Sequence, residues 1–443
     1  MATQNFAAEP NTAAVSSGRL PDAEVNYTPA MVVVTSLFFM IGFITCLNDI
    51  LIPHLKGVFE LSYVQAALIQ FTFFSAYFVM SWPSGKILSL FGYKRGMVIG
   101  LITAGVGTLL FYPAAATFSY PLFLGALFVL ASGFTLLQVA VNPYVAVLGK
   151  PETASSRLNL TQAFNSVGTT IAPWFGGLLI LTAATKTAEQ LKAMPAADWQ
   201  AYKVAEASSV QVPYLGLAAA LFLLAAAIAW FKLPVIAAVE GEEARQGSFM
   251  DAIKIPHLSL GALGIFVYVG AEVAIGSFLV NFIGLPEVAG LPEAAAAKFV
   301  SYYWGGAMIG RFIGSAILQK FSPGKLLGIF SIVAAALVLV GAFTSGGVAM
   351  WAIIAIGFFN SIMFPTIFTL GIDGLGKLTS QGSSVLIAAI VGGALIPLLM
   401  GKLADSYGLH AAYILPAICY LYIAYYGFKG SQHSLGNVHA LNK

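Results

Sequence analysis

Apolar residues run through this chain in long blocks, not in the i, i+3, i+4 stripe of a helix that covers a soluble core. The block that begins near Met31, "MVVVTSLFFMIGF", is one of many. A membrane-spanning helix needs about 20 predominantly apolar residues. That measure predicts twelve spans, starting near residues 29, 61, 96, 120, 156, 212, 258, 295, 325, 346, 380 and 410. Short breaks such as "LFGYKRG", "FSPGK" and "DGLGKLTS" separate them. Two connections are longer. "TKTAEQLKAMPAADWQAYKVAEASS" follows the fifth span, and "IAAVEGEEARQGSFMDAIKIP" follows the sixth. The second stands at mid-chain with a cluster of acids, as a linker between two halves would.

Composition agrees with the pattern. Of 443 residues, 59% are hydrophobic and 9% charged. A soluble domain carries about 25% charged residues, so the predicted class is an all-α, polytopic protein whose solvent is the lipid bilayer. A net charge of +3 is too small and scattered for a nucleic-acid partner. Cys46 and Cys419 both lie in apolar segments and read as small core residues, not as a disulfide or a metal site.

The expected organisation is a disordered tail over 1–28, a six-helix bundle over 29–236, a linker over 237–256, a second six-helix bundle over 257–430 and a tail over 431–443. The first tail is small and polar, without the basic-then-apolar order of a signal peptide. Basic residues near helix ends favour one side, among them Lys86, Lys94, Arg95, Lys150, Arg157 and Lys325. On the other side half of the basic residues, Lys186, Lys192 and Lys203, sit in one long connection. Both termini and the linker are therefore expected in the cytoplasm.

The two halves echo each other. Gln138 precedes Pro143 by five residues, as Asn360 precedes Pro365. Gly168, Pro173 and Gly177 repeat the spacing of Gly392, Pro397 and Gly401. "LSLFGYKR" likewise answers "LQKFSPGK". The nearly constant offset, about half the chain, predicts a duplicated architecture. Two such six-helix halves joined by a cytoplasmic linker resemble the architecture of the major facilitator superfamily.

Charge at membrane depth needs an explanation, because one charged group at a helix centre costs about 2.5–3.5 kcal/mol. Asp49, in "TCLNDILIPHL", and Glu272, in "FVYVGAEVAIGSFLVNF", are the two acids placed well inside hydrocarbon. Arg311, in "GGAMIGRFIG", is the deep base. A bland reading makes Asp49 a helix-end residue near Pro53, His54 and Lys56, and pairs Glu272 with Arg311 as a structural ion pair. The functional reading makes both carboxylates cavity groups that bind and release a cation.

Amides gather on the same helices. Asn48 adjoins Asp49; Gln138 and Asn142 are one turn apart; Asn159, Gln162 and Asn165 share the fifth span. Gln162 and Asn165 lie on one face at i, i+3 spacing. Asn281 and Asn360 come from the second half. One amide alone reads as interhelical glue, but this concentration predicts a polar cavity. Amides beside the aromatics Tyr268, Tyr302, Trp304 and Phe164 suit a small neutral sugar: amides donate and accept to hydroxyls, and aromatic faces cover the C–H side of the ring. A membrane-embedded enzyme would need a metal cluster, a Ser/His pair or an aspartyl pair. No HExxH or GxSxG string occurs, and the five histidines lie at or beyond helix ends. No enzyme and no cofactor are expected, and the chain is expected to be a monomer.

The strings "LNDILIPHLK", "QVAVNPYVAVLG", "RLNLTQAFNSVGTTIAP" and "YVGAEVAIGSFLVNF" resemble the fucose permease and glucose/galactose transporter family of the major facilitator superfamily, over residues 30 to 430. The superfamily's loop motif is degenerate: "GKILSLFGYKR" keeps Gly85, Gly92, Lys94 and Arg95 but has Ser89 where an Asp is usual. "GKLADSYG" holds a related motif through Asp405. With Arg311, these residues would serve gating or structure. The resemblance implies that Asp49 matches an essential carboxylate and that Gln162 and Asn165 match sugar-contacting amides. It also implies a bacterial inner-membrane location. Two departures stand out. Gln138 stands where the fucose permease has a proton-carrying Glu, and Glu272 where that permease has a Gln; Cys46 also replaces a cavity amide. This pattern is similar to the glucose/galactose branch, some of whose members use sodium. The expected activity is hexose symport driven by sodium, at a site drawing on Asp49, Thr45 and Glu272. The alternatives are proton-coupled uptake of L-fucose or of another monosaccharide such as N-acetylglucosamine, and passive facilitation.

Overall fold

The computed structural model describes residues 27–58, 63–117, 119–179, 194–195, 198, 211–235 and 247–432, with backbone alone at 48–58, 63–64, 66–67 and 176–179. The described residues form helices and short connections. Both expected tails lie almost wholly outside them, as do the acid-rich part of the linker and Lys186, Lys192 and Lys203.

The first half holds α1 (Thr28–Val58), α2 (Tyr63–Ala116), α3 (Tyr120–Val147), α4 (Ala154–Leu179) and α5 (Gln211–Trp230). Helix α2 crosses twice. Its continuity breaks at Gly92, where φ is 80° and the chain reverses inside the predicted break "LFGYKRG". A short helix, α6 (Phe249–Ile253), belongs to the linker. The second half holds α7 (Pro256–Gly284), α8 (Glu293–Ile317), α9 (Pro323–Phe343) and α10 (Gly346–Asn360), the last continuing as α11 (Met363–Ile372). Then come α12 (Thr379–Ala388), α13 (Gly392–Tyr407), α14 (Leu409–Ala412) and α15 (Ile414–Tyr425).

Local sequence explains where these helices begin. Pro occupies the first turn of α3, α7 and α9, where its missing N–H would have no intrahelical partner. Ser119 caps α3 by accepting from the Leu122 N–H at 3.4 Å. Inside the bundle, hydroxyls donate back to carbonyls of their own helix: Thr108 to Ala104 and Thr135 to Ala131, both at 2.8 Å. A lipid-facing helix has no water to satisfy such groups.

Nine segments among the described residues are long and apolar enough to cross a membrane. One of these, Leu68–Ala116, crosses twice; α4 and α8 complete the set of twelve. Those two helices fall short because they carry polar residues: Asn159, Gln162 and Asn165 on α4, and Lys298 and Arg311 on α8.

Packing repeats between the halves. In the first, α4 lies on α1; in the second, α13 lies on α7. A Cβ at Gly168 would fall 2.3 Å from the Phe39 carbonyl, and one at Gly392 would fall 2.0 Å from the Phe266 carbonyl. The glycines paired by sequence spacing thus occupy equivalent helix contacts. The halves meet where α4 packs on α8 and α11, and where α12 packs on α2 and α3.

Candidate functional site

Between the halves lies a central cavity of about 220 Å³. The first half lines it with Thr45 from α1, Phe73 and Tyr77 from α2, Gln138 from α3, and Gln162 and Asn165 from α4. The second half contributes Tyr268 and Glu272 from α7, Arg311 from α8 and Phe364 from α11. Glu272 and Arg311 are the charged groups among the described lining residues, and both come from the second half.

On the first-half wall, the i, i+3 spacing of Gln162 and Asn165 puts both amides at the cavity. Asn165 Nδ2 donates to the Phe38 carbonyl at 2.9 Å, which fixes its orientation and ties α4 to α1. Gln138 Nε2 donates to the Tyr77 hydroxyl at 2.8 Å. The Thr45 hydroxyl donates to Ile41 O at 2.8 Å, leaving its lone pairs free to accept.

On the second-half wall, the Tyr268 hydroxyl donates to Glu272 Oε1 at 2.8 Å and lies 3.1 Å from Asn360 O. Asn360 Nδ2 donates to the Tyr303 hydroxyl at 2.8 Å, and that hydroxyl lies 3.5 Å from the Glu272 carbonyl. Glu272 therefore sits at the cavity edge of a buried phenol–amide network. Arg311 donates to Ser166 across the halves. Glu272 and Arg311 line one cavity without approaching within the 4 Å of an ion pair; the ion pairs of the described residues are Lys254–Asp251 and His410–Glu287.

One face of the bundle is closed below this cavity. On the linker side, Ser155 Oγ and Thr369 Oγ1 are 2.6 Å apart. Ser156 donates to Ser315 O at 2.7 Å, and Ser315 donates back to Ser156 O at 3.1 Å. Asn159 donates to Arg311 O at 2.7 Å, and Ser383 to Val139 O at 2.9 Å. Each bond joins one half to the other. Gly85 belongs to this seam: a Cβ there would fall 2.2 Å from Ser384 Oγ, so α2 and α12 approach closely. The linker crosses the same seam, with Phe249 edge-on to Trp82 at 5.2 Å and Gly247 O accepting from Gln381 at 3.1 Å.

Sequence reasoning placed Thr45, Gln138, Gln162, Asn165, Tyr268 and Glu272 at one site and gave Arg311 a gating or structural role; the structure puts all seven at this cavity. Asn48 and Asp49 fall on α1, but their side chains lie outside the described residues. Three amides need correcting. Asn142 is fully buried within the helix packing and lines neither this cavity nor its neighbour. Asn281 is exposed near the end of α7, away from the cavity wall. Asn360 stands behind the wall, supporting Tyr268 and Tyr303 rather than facing the cavity. Of the expected aromatics, Phe164 and Tyr302 lie elsewhere, because their helix faces point away from the cavity. Gly92 makes the turn beside Lys94 and Arg95, and Asp405 is exposed near the end of α13. The inter-half serines were missed. Their signal was present in the clusters "ASSR" and "TSQGSS", which a hydropathy scan treats as breaks.

The family model of the Major Facilitator Superfamily matches residues 33–390. A "Glucose/galactose transporter" of Brucella abortus is 56% identical over 93% of this chain and 96% of its own length. An "L-fucose-proton symporter" of Escherichia coli is 36% identical over 92% and 94%. The crystal structure of that fucose:proton symporter in the outward conformation superposes with a TM-score of 0.86 over 92% of this chain and all of its own, at 36% identity. These relatives are named as transporters. The chain is accordingly a transporter built of two pseudo-symmetric halves, not an enzyme, and it belongs to the major facilitator superfamily.

Proposed function

We propose that the protein is a secondary active symporter that carries a hexose of the glucose/galactose type, driven by a cation taken up at Glu272. The observation that carries this reading is the cavity itself. Neutral amides of the first half face a carboxylate of the second across about 220 Å³, at the junction where the two halves would rock. Gln162 and Asn165 are positioned to exchange hydrogen bonds with sugar hydroxyls, and Phe73 and Tyr268 to cover ring C–H surface. The relatives named for glucose/galactose and for fucose support a sugar substrate.

Glu272 is the coupling group in this reading, with Asp49 on α1 as its counterpart in the first half. Neutralising Glu272 would change its bond to Tyr268, and through Asn360 and Tyr303 the packing of α7 on α10 and α8. We assign sodium as the ion, because Gln138 offers no proton carrier on the first-half wall. Proton coupling is the second reading. It is supported by the fucose relative and by Glu272 having Tyr268, not a ring of oxygen ligands, as its described partner. In the proposed orientation the monomer lies in a bacterial inner membrane with termini and linker in the cytoplasm, so the sealed face is cytoplasmic and the cavity faces outward.

The deciding experiment is uptake of labelled D-glucose and D-galactose into liposomes holding the purified protein. With a sodium gradient and no pH gradient, accumulation above the external concentration is expected. Accumulation under a proton gradient with no sodium requirement would replace sodium by the proton. Equilibration without accumulation under either gradient would leave a passive facilitator.

A further inference from the structure

Above the central cavity, on the face opposite the linker, lies a second and larger chamber of about 320 Å³. It is lined near the outer ends of five helices, with Thr45, Gln70, Phe73, Ser277 and Trp304 supplying its polar and aromatic surface. Thr45 and Phe73 also line the central cavity, so the two chambers are consecutive compartments of one path.

Three features separate this chamber from a bare entrance funnel. First, its size alone reaches the roughly 300 Å³ at which small-molecule sites begin. Second, Trp304 is 42% exposed yet held in place. Its ring meets Tyr303 edge-on, with centroids 5.1 Å apart, and room for it is left at Gly276, where a Cβ would stand 3.3 Å from Cζ2. An aromatic face ordered in this way loses little freedom when a ligand stacks on it. Third, among the described residues the polar lining is one amide and two hydroxyls, and no described lining side chain is charged. Those groups can exchange hydrogen bonds with the hydroxyls of a neutral polyol.

We propose that this chamber is a second saccharide site, in which a sugar stacks on Trp304 and bonds Gln70 and Ser277 before passing Thr45 and Phe73 to reach Gln162 and Asn165. The assignment rests on the reading of the protein as a sugar symporter. Trp304 then raises the occupancy of sugar at the mouth of the inner cavity, and its loss slows entry at low concentration without changing the turnover of the loaded carrier.

The test is equilibrium binding of tritiated D-glucose and D-galactose to the full-length protein in nanodiscs, with uptake measured on the same preparations. The wild type binds two equivalents. Trp304→Ala binds one, and its half-saturation for uptake rises about five- to tenfold with the maximal rate kept. Trp304→Phe, which keeps an aromatic face, restores two. Gln162→Ala with Asn165→Ala also binds one equivalent, and that one is sensitive to Trp304→Ala. A single wild-type equivalent overturns the outer site and leaves the symporter reading standing, whatever Trp304→Ala does. No binding of either sugar by the wild type overturns the symporter reading and the outer site with it. The wild-type stoichiometry decides the matter even if Trp304→Ala fails to fold.

Discussion

The two walls of the central cavity are built from different chemistry. The first half presents amides and a phenol, Gln138, Gln162, Asn165 and Tyr77, each neutral and able both to donate and to accept. The second half presents Tyr268, Glu272 and Arg311, with Asn360 and Tyr303 buried behind them. The two halves share a helix plan, down to the contacts at Gly168 and Gly392. Duplication has therefore supplied a common scaffold whose walls diverged. A neutral wall can exchange hydrogen bonds with sugar hydroxyls at small net cost. A charged group at membrane depth is costly unless it is partnered, and that cost makes its occupancy able to drive a conformational change.

Substitutions that erase one wall at a time sharpen this contrast. The largest effect is expected from Glu272→Gln, which keeps the shape and removes the charge. Gradient-driven accumulation in liposomes should fall to equilibration, while exchange of internal for external sugar continues. A smaller effect is expected from Gln162→Ala. A neutral hydrogen bond contributes about 0.5–1.5 kcal/mol, so half-saturation for uptake should rise up to about tenfold, with accumulation at saturating sugar retained.

The smallest concerns the seam below the cavity. Its inter-half bonds join neutral hydroxyls, amides and carbonyls, as at Ser155–Thr369, Ser156–Ser315, Asn159–Arg311 O and Ser383–Val139. Such bonds average about 0.6 kcal/mol in membranes, weak enough for a seam that opens in each turn of the proposed cycle. Ser156→Ala should shift the balance toward the opposite opening about threefold, read as labelling of a cysteine introduced into the seam. Since the bonds are neutral, that balance should not respond to salt. A strong salt dependence would show that ion pairs govern the seam instead.

Much of this plan was legible in the sequence, and the reasons differ by feature. The helix starts agree within a few residues, because a bilayer imposes a length and because Pro and Gly mark the turns. Gln162 and Asn165 could be placed together because α4 carries its polar residues at helical spacing. Helix α3 offered no such guide. It is buried on nearly every side from Leu130 to Ala146, so periodicity could not tell Gln138, which lines the cavity, from Asn142, which does not. The roles of Asn360 and Tyr303 depend on how α10 crosses α8 and α7, a tertiary fact that no local pattern encodes. Tyr77 and Phe73 were hidden for a plainer reason. In a chain with 33 Phe and 18 Tyr, a cavity aromatic has the same local context as a core one.

The central claim is that the coupling carboxylate Glu272 and the sugar-contacting amides Gln162 and Asn165 stand on opposite walls. It is tested most directly by measuring accumulation and sugar exchange side by side for Glu272→Gln and Gln162→Ala in the same liposomes. The account predicts that Glu272→Gln loses accumulation and keeps exchange, while Gln162→Ala weakens sugar affinity in both assays and keeps accumulation at saturating sugar. Unchanged accumulation by Glu272→Gln, or equal loss of both activities in the two variants, would contradict it.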